Sequence, residues 1–181
     1  MKLGLTLLRI IVGALFIGHG LQKLAGKFGG HGLEATGQAF ESLGLAPGKT
    51  HALLAGTAET GGGALIAAGA LTPLGASLLT GTMATAIQTI HGPKGPWVTE
   101  GGYEYNLILM AAVFAITDAG PGPWSLDAAR GRERWGTSWA LAELAAGLAG
   151  SAAAIAYGRS QSSPEAAPAA PEAPEAVEAS A

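Results

Sequence analysis

The sequence predicts an all-α fold, a polytopic membrane helix bundle of four spanning helices with a fifth C-terminal span. Three observations carry that reading. Hydrophobic residues make up 49% of the 181 and charged residues only 13%, where a water-solvated surface carries roughly 25% charged residues. Apolar runs near the roughly 20 residues needed to cross a bilayer recur along the chain. All four Trp (Trp97, Trp124, Trp135, Trp139) and all three Tyr (Tyr103, Tyr105, Tyr157) stand at or just beyond the ends of those runs. Interfacial aromatic belts have this placement, because the ring is apolar while its N–H or O–H seeks water.

The first span runs from Leu3 to Leu21. Arg9 interrupts it and no small-x-small site follows, so it reads as a retained span and not a cleaved signal. Gly26–Lys49 is a polar, Gly-rich loop in which Leu33–Leu43 forms a short surface helix. Ala52–Leu71 is the second span. Thr72-Pro73 marks a tight turn, since Pro cannot continue a helix but suits a helix start. Leu74–Ile90 is the third span, ended by Gly92-Pro93-Lys94-Gly95-Pro96. Tyr105–Thr117 anchors the fourth, stopped by Gly120-Pro121-Gly122-Pro123. These four form a bundle over 1–127. A charged connector covers 128–137, a fifth membrane helix 138–157, and a disordered tail 158–181, in which Pro-Glu-Ala recurs and no core can form. Lys2, Arg130, Arg132 and Arg134 on one side tie with Lys23, Lys27, Lys49 and Lys94 on the other. The tight Arg cluster tips the expectation towards a cytoplasmic N-terminus in the plasma membrane.

Composition also excludes chemistry. With no Cys, thiol catalysis and thiolate-held zinc or iron–sulfur clusters are ruled out on this chain. A net charge of −3 offers no basic surface, so nucleic acid is not an expected partner. Gly61-Gly62-Gly63 lacks the Lys and preceding strand of a phosphate loop. No Glu-x-x-His or His-x-x-x-His spacing occurs, so no metal site is expected.

Polar residues within the apolar runs need a reason, because a charge at membrane depth costs roughly 2.5–3.5 kcal/mol. At about 100° per residue, Arg9, Gly13, Phe16, Gly20 and Lys23 share one stripe of the first span, with His19 on its edge. That stripe must face the bundle interior. Glu59 lies near the middle of the second span, flanked by Gly56, Gly62 and Gly63. The third carries Gly81, Thr85 and Gln88 on one face and His91 at its end, and the fourth opens with Glu104 and Asn106. A structural reading has Arg9 pairing with Glu59 or Glu104, or snorkelling to the interface. It has His19 bonding a backbone carbonyl, His91 acting as a helix-end cation, and Glu143 serving structure in the fifth span. A functional reading makes Glu59 and Glu104 the groups that move protons.

The order and spacing of several motifs resemble the DoxX family. They are Leu8-Arg9 with Gly13, Phe16 and His19-Gly20-x-x-Lys23-Leu24; Gly44-Leu45-Ala46-Pro47; Glu59 with Gly62-Gly63; Leu71-Thr72-Pro73-Leu74; Gly101-Gly102-Tyr103-Glu104-Tyr105; and Gly120-Pro121-Gly122 with Ser125-Leu126-Asp127. The likeness runs from about Leu3 to Asp127. It implies a four-helix membrane bundle associated with oxidoreductase systems, among which the related DoxD subunit belongs to a thiosulfate:quinone oxidoreductase.

The leading expectation is therefore a membrane subunit that holds a quinone-like molecule in the bundle, with no covalent cofactor. Glu59 and Glu104 would be the catalytic proton carriers, and Arg9, His19, Lys23 and Gln88 would contact the substrate. Quinone reduction consumes protons inside lipid, so titratable groups must reach it there. Two rivals remain. One is a non-enzymatic anchor for soluble redox partners, working through the Gly26–Lys49 loop, the Asp127–Arg134 connector or the tail. The other is a small-molecule carrier; no inverted repeat is present within the chain, so this reading requires a homo-oligomer, such as a homodimer, to carry out transport.

Overall fold

The computed structural model describes residues 3–162, and among these every regular element is helical. Helix α1 (Leu3–Ala25) is followed by the short α2 (Gly32–Ser42), α3 (Gly48–Ala68) and α4 (Thr72–Ala86). A π turn over Ile87–His91 and two 3₁₀ turns, Gly92–Lys94 and Val98–Glu100, lead into α5 (Glu104–Ala119). A single turn, α6 (Leu126–Ala129), precedes the long α7 (Thr137–Gln161).

The expected elements all form, with shifted ends. The second span begins at Gly48 and stops at Ala68, because Gly69 takes a left-handed φ of 60° and its N–H bonds the Ile66 carbonyl. The third starts at Thr72 with Pro73 in its first turn, then widens into the π turn. The fifth helix runs past the expected 157 to Gln161, so the predicted boundary of the tail at 158 is too early. Ser162 anchors that end through its hydroxyl, which donates to the carbonyls of Gly44 and Gly158. The rest of the expected tail lies outside the described residues. The connector, read as irregular, includes the last residues of α6, whose first turn is capped by the Ser125 hydroxyl.

Glycine sets the central packing. Gly13 and Gly20 lie seven residues apart on α1, and Gly56 and Gly63 seven apart on α3. Seven residues is about two turns, so each pair occupies one face. Antiparallel pairing sets Gly13 against Gly63 and Gly20 against Gly56. A Cβ at Gly13 would lie 2.5 Å from the Gly63 carbonyl oxygen, and one at Gly20 2.6 Å from that of Gly56. The backbones therefore touch, as small residues permit between membrane helices. A second contact joins α4 to α7, where a Cβ at Gly147 would meet Thr80 at 2.7 Å. Val12, Phe16, Ile66, Ala76, Leu79, Leu109, Val113 and Ile116 form the core between these pairs.

Polarity is arranged inside out. Arg9, His51, Glu59, Asn106, Asp127 and Glu143 are buried, while large apolar side chains cover the exterior, with Leu7 56%, Ile108 62% and Leu141 56% exposed. Exposed apolar side chains that adjoin one another mark a surface that faces lipid or a partner. Only α1 and α7 are individually long and apolar enough to cross a bilayer. The others fall short because α3 carries Glu59, Thr and Gly against its neighbours, and α4 and α5 have only 15 and 16 residues.

The glycine contact makes a contrast that can be measured. Gly13→Ala should lower stability by about 2 kcal/mol through overpacking. Gly18→Ala, where a Cβ meets nothing within 4 Å, should leave it unchanged or slightly raised. Unfolding midpoints in detergent compare the two, and equal midpoints would refute the close contact.

Candidate functional site

The contact between α1 and α3 determines what stands beside it. One turn beyond Gly20, Lys23 reaches across to α3 and donates to Glu59 Oε2 at 2.6 Å. The Glu59 side chain is 5% exposed and that of Lys23 27%, so the pair is closed at its acidic end and opens at its basic end. Two of the sequence-predicted residues are thus partners of each other.

Beside the pair is a cavity of about 440 Å³, walled by α1, α3, α4, α5 and α7 and bordered by Phe40 of α2. Its lining is mainly apolar, with Phe16, Leu54, Leu78, Met83 and Leu109 among its walls. Polar groups enter at a few points. His19, exposed at the mouth, shares a hydrogen bond between Nδ1 and Gln22 Oε1 at 3.0 Å. Asn106 of α5, buried, turns its amide to Met83 Sδ at 3.4 Å. Ser151 of α7 meets the Thr85 hydroxyl at 2.9 Å and accepts from Gln88 Nε2 at 3.2 Å. Gln88 therefore stands behind the wall as a support for Ser151 and is not among the lining residues.

Two predicted residues lie elsewhere. Glu104 accepts from the Val98 N–H at 2.6 Å and closes the loop between the 3₁₀ turns and α5. Arg9 pairs with neither Glu59 nor Glu104. It is nearly two helical turns before the cavity wall begins on α1, and it donates to the carbonyls of Pro121 at 3.2 Å and Trp124 at 2.8 Å. Asp127 is its counter-charge. Asp127 also accepts from the Leu71 and Thr72 N–H groups at 2.9 and 3.1 Å and from the Thr72 hydroxyl at 2.9 Å. Since Leu71 has a positive φ of 46° and starts α4 without a cap of its own, the carboxylate of Asp127 caps that helix from a distance. The closing motif seen in sequence is thus a clasp that ties α5, α1 and the α3–α4 turn together.

His51 was not singled out in the sequence. It is buried in the cavity wall between Phe40 and Tyr157, with ring centroids 6.2 and 6.0 Å away, and its Nε2 has no partner. Its position two turns before Glu59 on α3 was the available signal, masked because it falls between the loop that ends at Lys49 and the span expected from Ala52. His91 holds the loop over the cavity through Nδ1 and the Gly101 carbonyl at 2.7 Å. Among the described residues no three His, Asp or Glu side chains converge as metal ligands would.

The sequence model of the DoxX family matches residues 4–92, the segment from α1 to the π turn that supplies Lys23, His51 and Glu59. The chain is 33% identical over 116 residues to a Bacillus subtilis (strain 168) protein named "Putative oxidoreductase CatD", an alignment covering 64% of this chain and 80% of that protein. No solved structure matches the chain.

Because one partner left alone strands a charge, Lys23→Met should cost about 2 kcal/mol of stability. The double variant Lys23→Met with Glu59→Gln should cost less than the sum of the two single changes. A double-mutant cycle of detergent unfolding reads this coupling, and strictly additive losses would mean that the pair is not formed.

Proposed function

The chain belongs to the DoxX family of membrane proteins, and we propose that it is a multi-pass subunit of an oxidoreductase system that holds a quinone-like molecule in the cavity beside Lys23 and Glu59. The observation that carries this reading is the Lys23–Glu59 pair set in the wall of an apolar cavity. The pair has no net charge, so it does not favour a free anion or cation. It offers instead a hydrogen-bond donor and an acceptor to a neutral ligand. A volume of about 440 Å³ lies within the range of small-molecule sites, and the apolar walls suit a ring and the start of a lipid-soluble tail.

The proposed insertion of all five long helices is supported by the exposed Leu and Ile side chains on α1, α3, α4, α5 and α7 and by the burial of Glu59, Thr80 and Asn106. The proposed location is the plasma membrane with a cytoplasmic N-terminus, on the strength of the Arg130–Arg134 cluster.

Reduction of a quinone to a quinol takes up two electrons and two protons. In the proposed roles, Lys23 donates a hydrogen bond to a carbonyl oxygen of the ring, and Glu59 passes protons to it. His19 at the mouth connects the pair to water. The electrons come from a partner oxidoreductase, a role in keeping with the oxidoreductase name of the Bacillus subtilis relative. Arg9 and Glu104 take no part in this scheme, since their hydrogen bonds are structural.

The test begins with the bound small molecules of protein purified in mild detergent. A quinone extracted from wild type and depleted at least tenfold in Glu59→Gln, with unfolding unchanged, is the expected result. An empty but well-folded bundle would favour the rival reading of a membrane anchor for soluble redox proteins.

A further inference from the structure

A second recess lies at the opposite end of the bundle, on the outer surface between α4 and α7. Its floor is Glu143. That side chain is 2% exposed, accepts from the Thr80 hydroxyl at 3.1 Å through Oε2, and leaves Oε1 buried with no partner. Leu74, Ala142 and Ala146 line the sides, and Trp139 and Arg134 stand at the rim. Arg134 rests over the Trp139 ring at 5.3 Å from its centre. A second hollow adjoins this recess through Leu71, Pro73 and Arg134, and is completed by Arg132, Asp127 and Glu133.

Charge and depth are graded along this groove. Arg130, Arg132 and Arg134 are exposed, and none forms an ion pair among the described residues. Glu133 is the opposing exposed acid, and Asp127 is engaged by Thr72 and Leu71. Below the arginines comes an interfacial Trp. One helical turn deeper, about 6 Å along the axis, comes the unpartnered carboxyl oxygen, and beside it Leu74, Ala142 and Ala146, with Ser77 turned to the Pro73 carbonyl. A phospholipid presents the same sequence: an anionic phosphate, a glycerol-ester layer that hydrogen-bonds, then acyl chain. Basic residues at the end of a membrane helix attract anionic headgroups.

We propose that the groove between α4 and α7 is a binding site for one anionic phospholipid. Arg132 and Arg134 hold the phosphate, Glu143 in its protonated form donates a hydrogen bond to an ester carbonyl of the glycerol layer, and an acyl chain lies along Leu74 and Ala146. This site is separate from the cavity beside Glu59 and does not depend on what that cavity holds.

The experiment uses the full chain in detergent and follows its thermal unfolding midpoint. Dioleoylphosphatidylglycerol should raise the midpoint saturably, and dioleoylphosphatidylcholine, with the same chains, should not. Arg132→Gln combined with Arg134→Gln, both exposed, should weaken the apparent affinity at least tenfold, with the lipid response read against the variant's own lipid-free midpoint. Arg130→Gln, outside the groove, should weaken it less than twofold. Glu143→Gln, which keeps a hydrogen-bonding group, should retain the response that Glu143→Leu diminishes. The proposal is overturned if the two lipids act alike, if Arg130→Gln is as harmful as the double variant, or if glycerol 3-phosphate alone reproduces the saturating rise.

Discussion

Backbone contact between α1 and α3 is the constraint on which the rest depends. Four glycines, paired across the two helices, let the chains touch where any side chain would hold them apart. Only at that separation can a lysine stem from α1 reach a carboxylate in the middle of α3. The same closeness leaves the fuller side chains of both helices, such as Phe16 and Leu54, pointing into the space bounded by α4, α5 and α7. The cavity is thus the complement of the contact: tight packing on one side of α3 and a gap on the other.

The two ends of the bundle are closed by different means. At one end, charge and backbone geometry act together. Arg9 collects the carbonyls of the loop after α5, and Asp127 caps a helix whose own first residue is left-handed. Both charges are spent on backbone groups that have no helix of their own to satisfy them. At the other end the π turn, the 3₁₀ loop and α2 surround the mouth of the cavity. They are tied by dispersed bonds, such as His91 to the Gly101 carbonyl, Glu104 to the Val98 N–H and the Ala46 N–H to the Gly158 carbonyl.

Much of the architecture was legible in the sequence, because helix ends in this chain are written in Gly and Pro. Pro73, the Gly-Pro run after His91 and the Gly-Pro run after Ala119 all fall at real boundaries. The inward stripe of α1 was also legible, since helical periodicity assigns Arg9, Gly13, Gly20 and Lys23 to one face. Which partner each charge meets was not. Periodicity places a residue around a helix but says nothing of its height relative to a neighbour, and that height separates Arg9 from Glu59 and joins Lys23 to it. His51 escaped notice for a related reason. The expected span begins only at Ala52, and the extra helical turn from Gly48 that carries the imidazole into the wall packs against α2 and α7. Helix α7 shows the same limit: its Ser151 completes the cavity lining, although the family match ends before it.

The neutrality of the Lys23–Glu59 pair has a consequence for a protein in an energised membrane. Moving a unit charge through 100 mV involves about 2.3 kcal/mol of electrical work. An uncharged molecule that settles beside an uncharged pair does none of that work, so its occupancy follows partition from the lipid and is blind to voltage. A proton that arrives at Glu59 from one aqueous side does cross part of the field. Under the proposed function, the geometry would separate filling of the cavity from its protonation, leaving the membrane potential able to act on the second step alone.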